Sequence, residues 1–361
     1  MSSAAQDIPD KARAAVVVNR GEDYKIELRE DYPVPKPGKG ELLLRLSATG
    51  LCSSDVHLAR NDWHWPLVDS CKVVGHEGAG VVVALGEGVD PDEWKVGDRA
   101  GIKPLYSACG TCRSCRRGHE THCPKLSAYG SHIDGSYSEY ALTLASYTSR
   151  IPEGLSDEMA APILCSGATV YAAIKKSGAR AGQWLVIPGA GGGVGSMAVQ
   201  YARYAGIRVI AIDAGNKGDL CRSLGAEVFI DFQTCSDIHG EVRKITKGGA
   251  DAIIVTGGSK SAYDGTHRML APGSRMVCVG MPPAGAALAG GDPHEFIMGG
   301  IGLVGSLVAG MQDVDEALEI AANGGIKLDN LHVHKFEEIP ELFAKLGEGK
   351  IIGRAVVKLR D

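Results

Sequence analysis

The chain has 361 residues, 44% of them hydrophobic and 22% charged, so it can bury a substantial core and is long enough for two domains. Its 38 basic and 43 acidic residues leave a net charge of about −5, which gives no long-range attraction to nucleic acid or to an anionic membrane. Small molecules are the partners this composition favours.

In chain order, the opening MSSAAQDIPDKARAAVVV lacks a basic segment followed by an apolar one, and Asp7, Asp10, Glu22 and Asp23 disfavour a transit peptide, so a cytoplasmic location is expected. Cys52 in GLCSSDVH and His76 in VVGHEGAG follow, each at the edge of an apolar run where a strand or helix would present it to a cleft. Taken singly, such a cysteine is a small buried apolar residue and such a histidine a satisfied core group. The stretch CGTCRSCRRGHETHC then packs four of the ten cysteines into fifteen residues. In a reducing compartment this is a metal site or a catalytic pair before it is a disulfide framework. The spacing Cys109-x2-Cys112-x2-Cys115-x7-Cys123 lets one loop wrap four thiolates around Zn2+ with no position left for a substrate. Arg113, Arg116, Arg117 and Lys125 raise the rival of a nucleic-acid-gripping zinc module, but zinc ribbons separate their knuckles by roughly fifteen to twenty residues. A solvated basic lobe is the simpler reading. Cys165 in APILCSGATVY is the next isolated thiol, and with Cys52 and His76 it would make a Cys-His-Cys trio with a fourth position open to water or substrate.

Gln183 to Gly215, QWLVIPGAGGGVGSMAVQYARYAGIRVIAIDAG, predicts a strand, a glycine-rich turn, an amphipathic helix and a second strand ending in Asp213. Glycines at 189, 191, 192, 193 and 195, with Val194 among them, let backbone amides at the helix start approach a pyrophosphate, and an acid some twenty residues on can accept from an adenosine ribose. Counted back from Gly195, the GxGxxG pattern meets Ala190, so the first glycine is replaced or the turn is one residue longer. AEVFIDF, ADAIIVTGG, GSRMVCVGM and IGLVGSLV then suit further strands of a doubly wound parallel sheet. FIMGGIGLVGSLVAGM, Phe296 to Met311, falls short of the roughly 18 residues of a membrane span and is cut by five glycines, so it reads as buried strands.

Together GLCSSDVH, VVGHEGAGVVV, the four-cysteine lobe, APILCSGATVYAAIK, GAGGGVGSMAVQYA and IIGRAVV resemble the zinc-dependent medium-chain alcohol dehydrogenases, most closely the fungal, yeast-type branch. The resemblance implies an α/β protein with a GroES-like catalytic domain over 1–166, a Rossmann NAD-binding domain over 167–305, and a segment 306–361 that completes the first. It implies a catalytic zinc on Cys52, His76 and Cys165 and a structural zinc on Cys109, Cys112, Cys115 and Cys123. Glu77 matches an acid beside the metal that assists ligand exchange, and Asp55 one that orients the histidine ligand. Ser54 and His57 match a relay that carries the alcohol proton, by way of the cofactor ribose, to solvent. Thr169 matches a residue packed on the nicotinamide, Asp213 with Lys217 the ribose end, and Arg354 a residue approaching the pyrophosphate. Two departures stand out. Ser53 replaces the cation usually aimed at the pyrophosphate, and Pro104 replaces a pocket-narrowing tryptophan, while Trp65 matches the other one. Bulkier primary alcohols than ethanol are therefore expected, unless Tyr106 swings into the vacated space. NAD is expected over NADP, and GIGLVGSLV (Gly300 to Val308) matches edge strands that join copies into a homodimer or homotetramer. A zinc-free quinone reductase-like member would lack the Cys-His-Cys trio. The competing reading from another class is a non-catalytic NAD-binding regulator or a zinc-scaffolded interaction protein.

Overall fold

The computed structural model describes residues 8–327 and 331–360. The chain divides into two compact units. One holds the described residues up to Cys165, Gly310–Ala322 and those from Leu331 onward; the other holds Ser166–Ala309 and the described residues that follow Ala322.

The first unit is organised around the strand Glu41–Gly50. Its sequence ELLLRLSATG is apolar on consecutive positions rather than alternate ones, which suits a strand covered on both faces. Leu42, Leu43, Leu44, Leu46 and Ala48 are accordingly no more than 1% exposed. Gly78–Leu85, Tyr140–Leu144 and Arg354–Lys358 all pair with this strand antiparallel. Arg99–Ile102 and Ser149–Arg150 extend one side of the sheet, and Leu331–Lys335 the other. The register decides where chemistry is possible. Thr49 lies opposite Gly78 and Gly50 opposite Val356, so the residues just beyond those pairs, Cys52, Glu77 with His76, and Arg354, gather at one end of the sheet.

The second unit is a six-stranded parallel sheet in the order Val228–Asp231, Arg208–Asp213, Trp184–Pro188, Ala250–Val255, Leu270–Cys278, Gly302–Gly305. Every neighbouring pair is parallel. The order reverses direction at Trp184–Pro188, the topological switch point at which such sheets bind ligands.

Two expectations need correction. Residues 306–309 and 323–327 group with the second unit rather than completing the first. Ser306 accepts from Lys176 Nζ at 3.0 Å and donates its N–H to Cys278 at 2.9 Å, and Lys327 N donates to Gln200 at 2.9 Å. The stretch from Phe296 is also not a run of buried strands. Pro293–Gly299 is a helix, capped by Asp292 and stopped by Gly300 at φ 58°, and only Gly302–Gly305 is a strand. Ile297 and Met298 on that helix are 78% and 73% exposed. The Asp-Pro start and left-handed glycine stop outweigh the apolar composition. Among the described residues no helix is long and apolar enough to cross a membrane.

Candidate active site

Among the described residues two groups of metal-type side chains form, and in each the ligand atoms lie within 4.8 Å of one another. The first is Cys109, Cys112, Cys115 and Cys123, on one irregular loop. Cys112 Sγ stands 3.5 Å from Cys115 Sγ and 3.9 Å from Cys123 Sγ, and Cys109 Sγ 4.0 Å from Cys115 Sγ, far beyond a disulfide bond length, and all four thiols are free. Backbone amides point at them: Cys112 N to Cys109 Sγ at 3.3 Å, Cys115 N to Cys112 Sγ at 3.5 Å, and Lys125 N to Cys123 Sγ at 3.3 Å. Amides of Thr111 and Cys112 lower the Cys109 thiol to about 6, whereas desolvation pushes Cys115 up to about 12. Four sulfurs this close cannot all ionise without a cation among them, so the donor set fits a tetrahedral zinc. Glu120 fastens the loop by accepting from Met311 N at 2.9 Å.

The second group is Cys52, His76, Glu77 and Cys165, all buried. Cys52 caps the helix Ser53–Arg60, His76 and Glu77 precede the strand Gly78–Leu85, and Cys165 sits in the π-helical turn Ile163–Gly167. Asp55 accepts from Gly75 N at 3.0 Å and from Tyr137 Oη at 2.7 Å, and lies 2.9 Å from His76 Nδ1. Nδ1 is thereby committed, which leaves Nε2 as the ligating nitrogen. Cys165 holds the Cys52 thiol well below its ordinary value, and that same bond, with burial, pushes Cys165 upward. Burial raises Glu77 to about 7 against the pull of Arg354. Burial disfavours a charged His76, yet Asp55 raises it above the ordinary histidine value. Two thiols this deep call for a cation, and with Nε2 they make three donors that fit a zinc whose fourth position is open, while Glu77 stands beside them paired to Arg354.

Arg354 is 3% exposed and its guanidinium bonds Glu77 Oε1, because strand pairing brings residue 354 beside Cys52. Arg354 Nε and Glu77 Oε2 are both buried without a partner. Sequence reasoning missed three supports of this cluster: Tyr137 on Asp55, Ser136 Oγ accepting from Glu77 N at 3.2 Å, and Gly50, where a Cβ would fall 1.9 Å from Glu77 Oε2. DGSYSEY and a lone glycine carry no motif that would have marked them.

On the helix that follows Cys52, Ser54 Oγ is 3.5 Å from Cys52 Sγ, and His57 Nδ1 is 2.7 Å from Asp62 Oδ2. Ser53 is exposed. Trp63 stacks on His57 with centroids 4.9 Å apart, and Trp65 lies against Trp63 at 5.1 Å. Pro104 is partly buried and accepts from Tyr129 N at 3.2 Å. Tyr106 is anchored: its hydroxyl bonds Glu41 and its ring meets Tyr129 edge-on at 5.7 Å.

The second unit carries the dinucleotide-type elements. Gly189, directly after the strand Trp184–Pro188, has φ 85°, and a Cβ there would lie 2.5 Å from Gly257 N. The tight turn thus falls one residue earlier than the strict pattern, which answers the mismatch at Ala190. Gly192 caps the twelve-residue helix Gly193–Tyr204, and Gly192, Gly193 and Val194 stay partly exposed. Gly195 packs so tightly that a Cβ would lie 2.1 Å from Gly189 O. Asp213 closes the next strand, accepts from Gly191 N at 2.8 Å and pairs with Lys217 Nζ at 3.1 Å. Thr169 Oγ1 is buried without a partner. A polyanion at the helix start and a polar group at Thr169 suit these features.

Comparison with known proteins agrees with this layout. The Alcohol dehydrogenase GroES-like domain family matches residues 38–153, and the Zinc-binding dehydrogenase family matches residues 193–323. The chain is 41% identical to an alcohol dehydrogenase of Schizosaccharomyces pombe over 98% of its own length and 99% of the relative's. The acetophenone reductase of Geotrichum candidum, solved with NAD, is 27% identical with a TM-score of 0.82 over 98% of each chain. A cinnamyl alcohol dehydrogenase of Sorghum bicolor is 26% identical with a TM-score of 0.83 over 97% of this chain and 98% of that one.

Proposed function

Because the chain belongs to the zinc-dependent alcohol dehydrogenases, we propose that it oxidises primary alcohols bulkier than ethanol with NAD, reversibly, in the cytoplasm. The observation that carries this reading is the buried Cys52, His76, Cys165 set with Asp55 on the far nitrogen of the histidine. Zinc held there supplies a Lewis acid for the alcohol oxygen, and NAD supplies the hydride acceptor. The remaining work falls to the chain's own side chains. Asp55 fixes the His76 ring, the Arg354 partner opposes the burial that favours a neutral Glu77 close to the thiols, and Ser54 and His57 move the alcohol proton outward. Glycines 189 to 195 and the helix they open hold the pyrophosphate, Thr169 meets the nicotinamide, and Asp213 takes the ribose, with Lys217 already engaged on its carboxylate.

Substrate size rests on Pro104, where a pyrrolidine ring stands in place of an indole, and on the anchoring of Tyr106. Two solved relatives act, by their names, on an aromatic ketone and on cinnamyl alcohol. The test is NADH formation with ethanol, hexanol, benzyl and cinnamyl alcohol, in wild type and Pro104→Trp. The larger alcohols should give the higher kcat/KM, and the tryptophan should reverse the ranking. Ethanol as the best wild-type substrate sinks the size argument, and no turnover with any alcohol sinks the function. NADP used as efficiently as NAD overturns the role of Asp213.

We also propose at least a dimer. Gly302–Gly305 is an edge strand of the parallel sheet, and Leu303 with Ile297, Met298 and Leu288 leaves an exposed apolar margin beside it. A monomer in sedimentation at micromolar concentration refutes this.

A further inference from the structure

The helix Ser53–Arg60 ends in a turn that doubles back on His57. Asn61 takes a left-handed conformation at φ 58°, which asparagine tolerates better than most residues, and its N–H donates to His57 O. Asp62 N donates to the same carbonyl at 3.1 Å. The doubled-back chain carries the Asp62 carboxylate to 2.7 Å from His57 Nδ1, while Trp63 stacks on the ring at an interplanar angle of 28°. The imidazole is thus held at one nitrogen and on one face. Its side chain remains 20% exposed, and Nδ1 is taken by Asp62.

We propose that Asp62 is a positioning residue for proton release: it fixes the Nδ1–H tautomer of His57 so that Nε2 alone carries the proton to solvent. The inference rests on the relay role given to His57 in the proposed function. A carboxylate accepts only, so in neutral His57 the proton must sit on Nδ1, and the Nε2 lone pair is left open. His57 takes the relayed proton at Nε2, forms an imidazolium whose Nδ1–H stays on Asp62, and returns to neutral by giving the Nε2 proton to water. Other charged groups nearby are occupied. Asp55 is committed to Gly75, His76 and Tyr137, and Arg60 lies over the Tyr24 ring. On Ile339–Gly347, the helix packed against Ser53–Arg60, Glu341 and Lys345 pair with each other.

The experiment compares wild type, Asp62→Asn, Asp62→Glu, His57→Gln and the double variant H57Q/D62N, all as zinc-loaded protein. Asn can present either its oxygen or its amide to Nδ1, so D62N should lower kcat about tenfold with little change in KM for NAD, and Asp62→Glu should recover most of it. The double variant should be no slower than H57Q alone, because Asp62 acts only through His57. Without substrate or NAD, the 15N shifts of the His57 ring should report a single Nδ1–H tautomer in wild type and a mixture in D62N. If D62N keeps wild-type kcat, if the losses multiply in the double variant, or if the tautomer does not change, Asp62 is only a helix-end contact. Should D62N fold poorly, Asp62→Glu and the ring shifts of wild type decide alone: loss of kcat in a stable Glu variant, or an Nε2–H tautomer in wild type, overturns the inference. A wild type inactive with every alcohol overturns the function itself, whereas an active wild type with an unmoved D62N overturns only this step.

Discussion

The two cysteine clusters are chemically similar and structurally opposite. One is wound from fifteen consecutive residues, and its secondary support is the loop's own amides. The other draws on residues 52, 76, 77 and 165, with Arg354 behind them, and its support is a chain of buried side chains running through Asp55 to Tyr137. A local loop closes at little entropic cost and tolerates partial exposure, so it is suited to holding a fold. A cluster assembled by strand register is buried and rigid, and a single missing residue leaves charges unmatched in the interior. The difference between holding and reacting therefore lies in how the donors are brought together as well as in how many of them the metal would take.

The largest effects should separate the two directly. His76→Ala should reduce kcat/KM about a thousandfold or more while costing less stability than the loop variant and leaving the protein folded; Cys112→Ala should destabilise by about 4 kcal/mol or more while the folded fraction stays active. Equal losses of stability in both variants would erase the distinction. Arg354→Met should come next, at about 3–5 kcal/mol, because it strands the Glu77 carboxylate in the interior; Arg354→Met/Glu77→Gln should recover part of that, as read by chemical denaturation.

Lys103 tests the base of the four-thiol loop. It is 1% exposed at the end of the strand Arg99–Ile102, and desolvation lowers its ammonium to about 7 despite the attraction of Asp315 and Glu120. Between pH 7 and its ordinary 10.5 the unfolded chain keeps a proton the folded chain has released, so stability should rise with pH across that window, by up to about 1.4 kcal/mol per unit. Lys103→Met should flatten the rise, and an unchanged slope would show that Lys103 is charged in the fold. The smallest effect expected is that of Tyr137→Phe, about a tenfold loss of zinc affinity at the open cluster alone, read by competition with a chelator.

Legibility in the sequence followed the same divide. The closed cluster could be read from spacing, because all its donors lie in one loop. Cys52, His76 and Cys165 had no spacing rule and were identified through resemblance, since the pairing of Thr49 with Gly78 brings the first two segments together and Cys165 comes from a separate π-helical turn. The pairing of Arg354 with Glu77 was illegible for the same reason: IIGRAVV says nothing about which strand end it faces. Tyr137, Gly50 and Asp62 were silent because a buttress or a close approach has no local pattern. The parallel sheet was legible from its apolar runs, whereas Phe296 onward misled because composition was weighed above the Asp292-Pro293 start signal.

The central claim is that one chain carries two zinc ions in different roles, and the most direct measurement is elemental analysis of freshly purified wild type, His76→Ala and Cys112→Ala alongside activity. The account predicts two zinc ions per chain in wild type, and one in His76→Ala, which remains folded and is inactive. A single zinc ion, or none, in fully active wild type would contradict it.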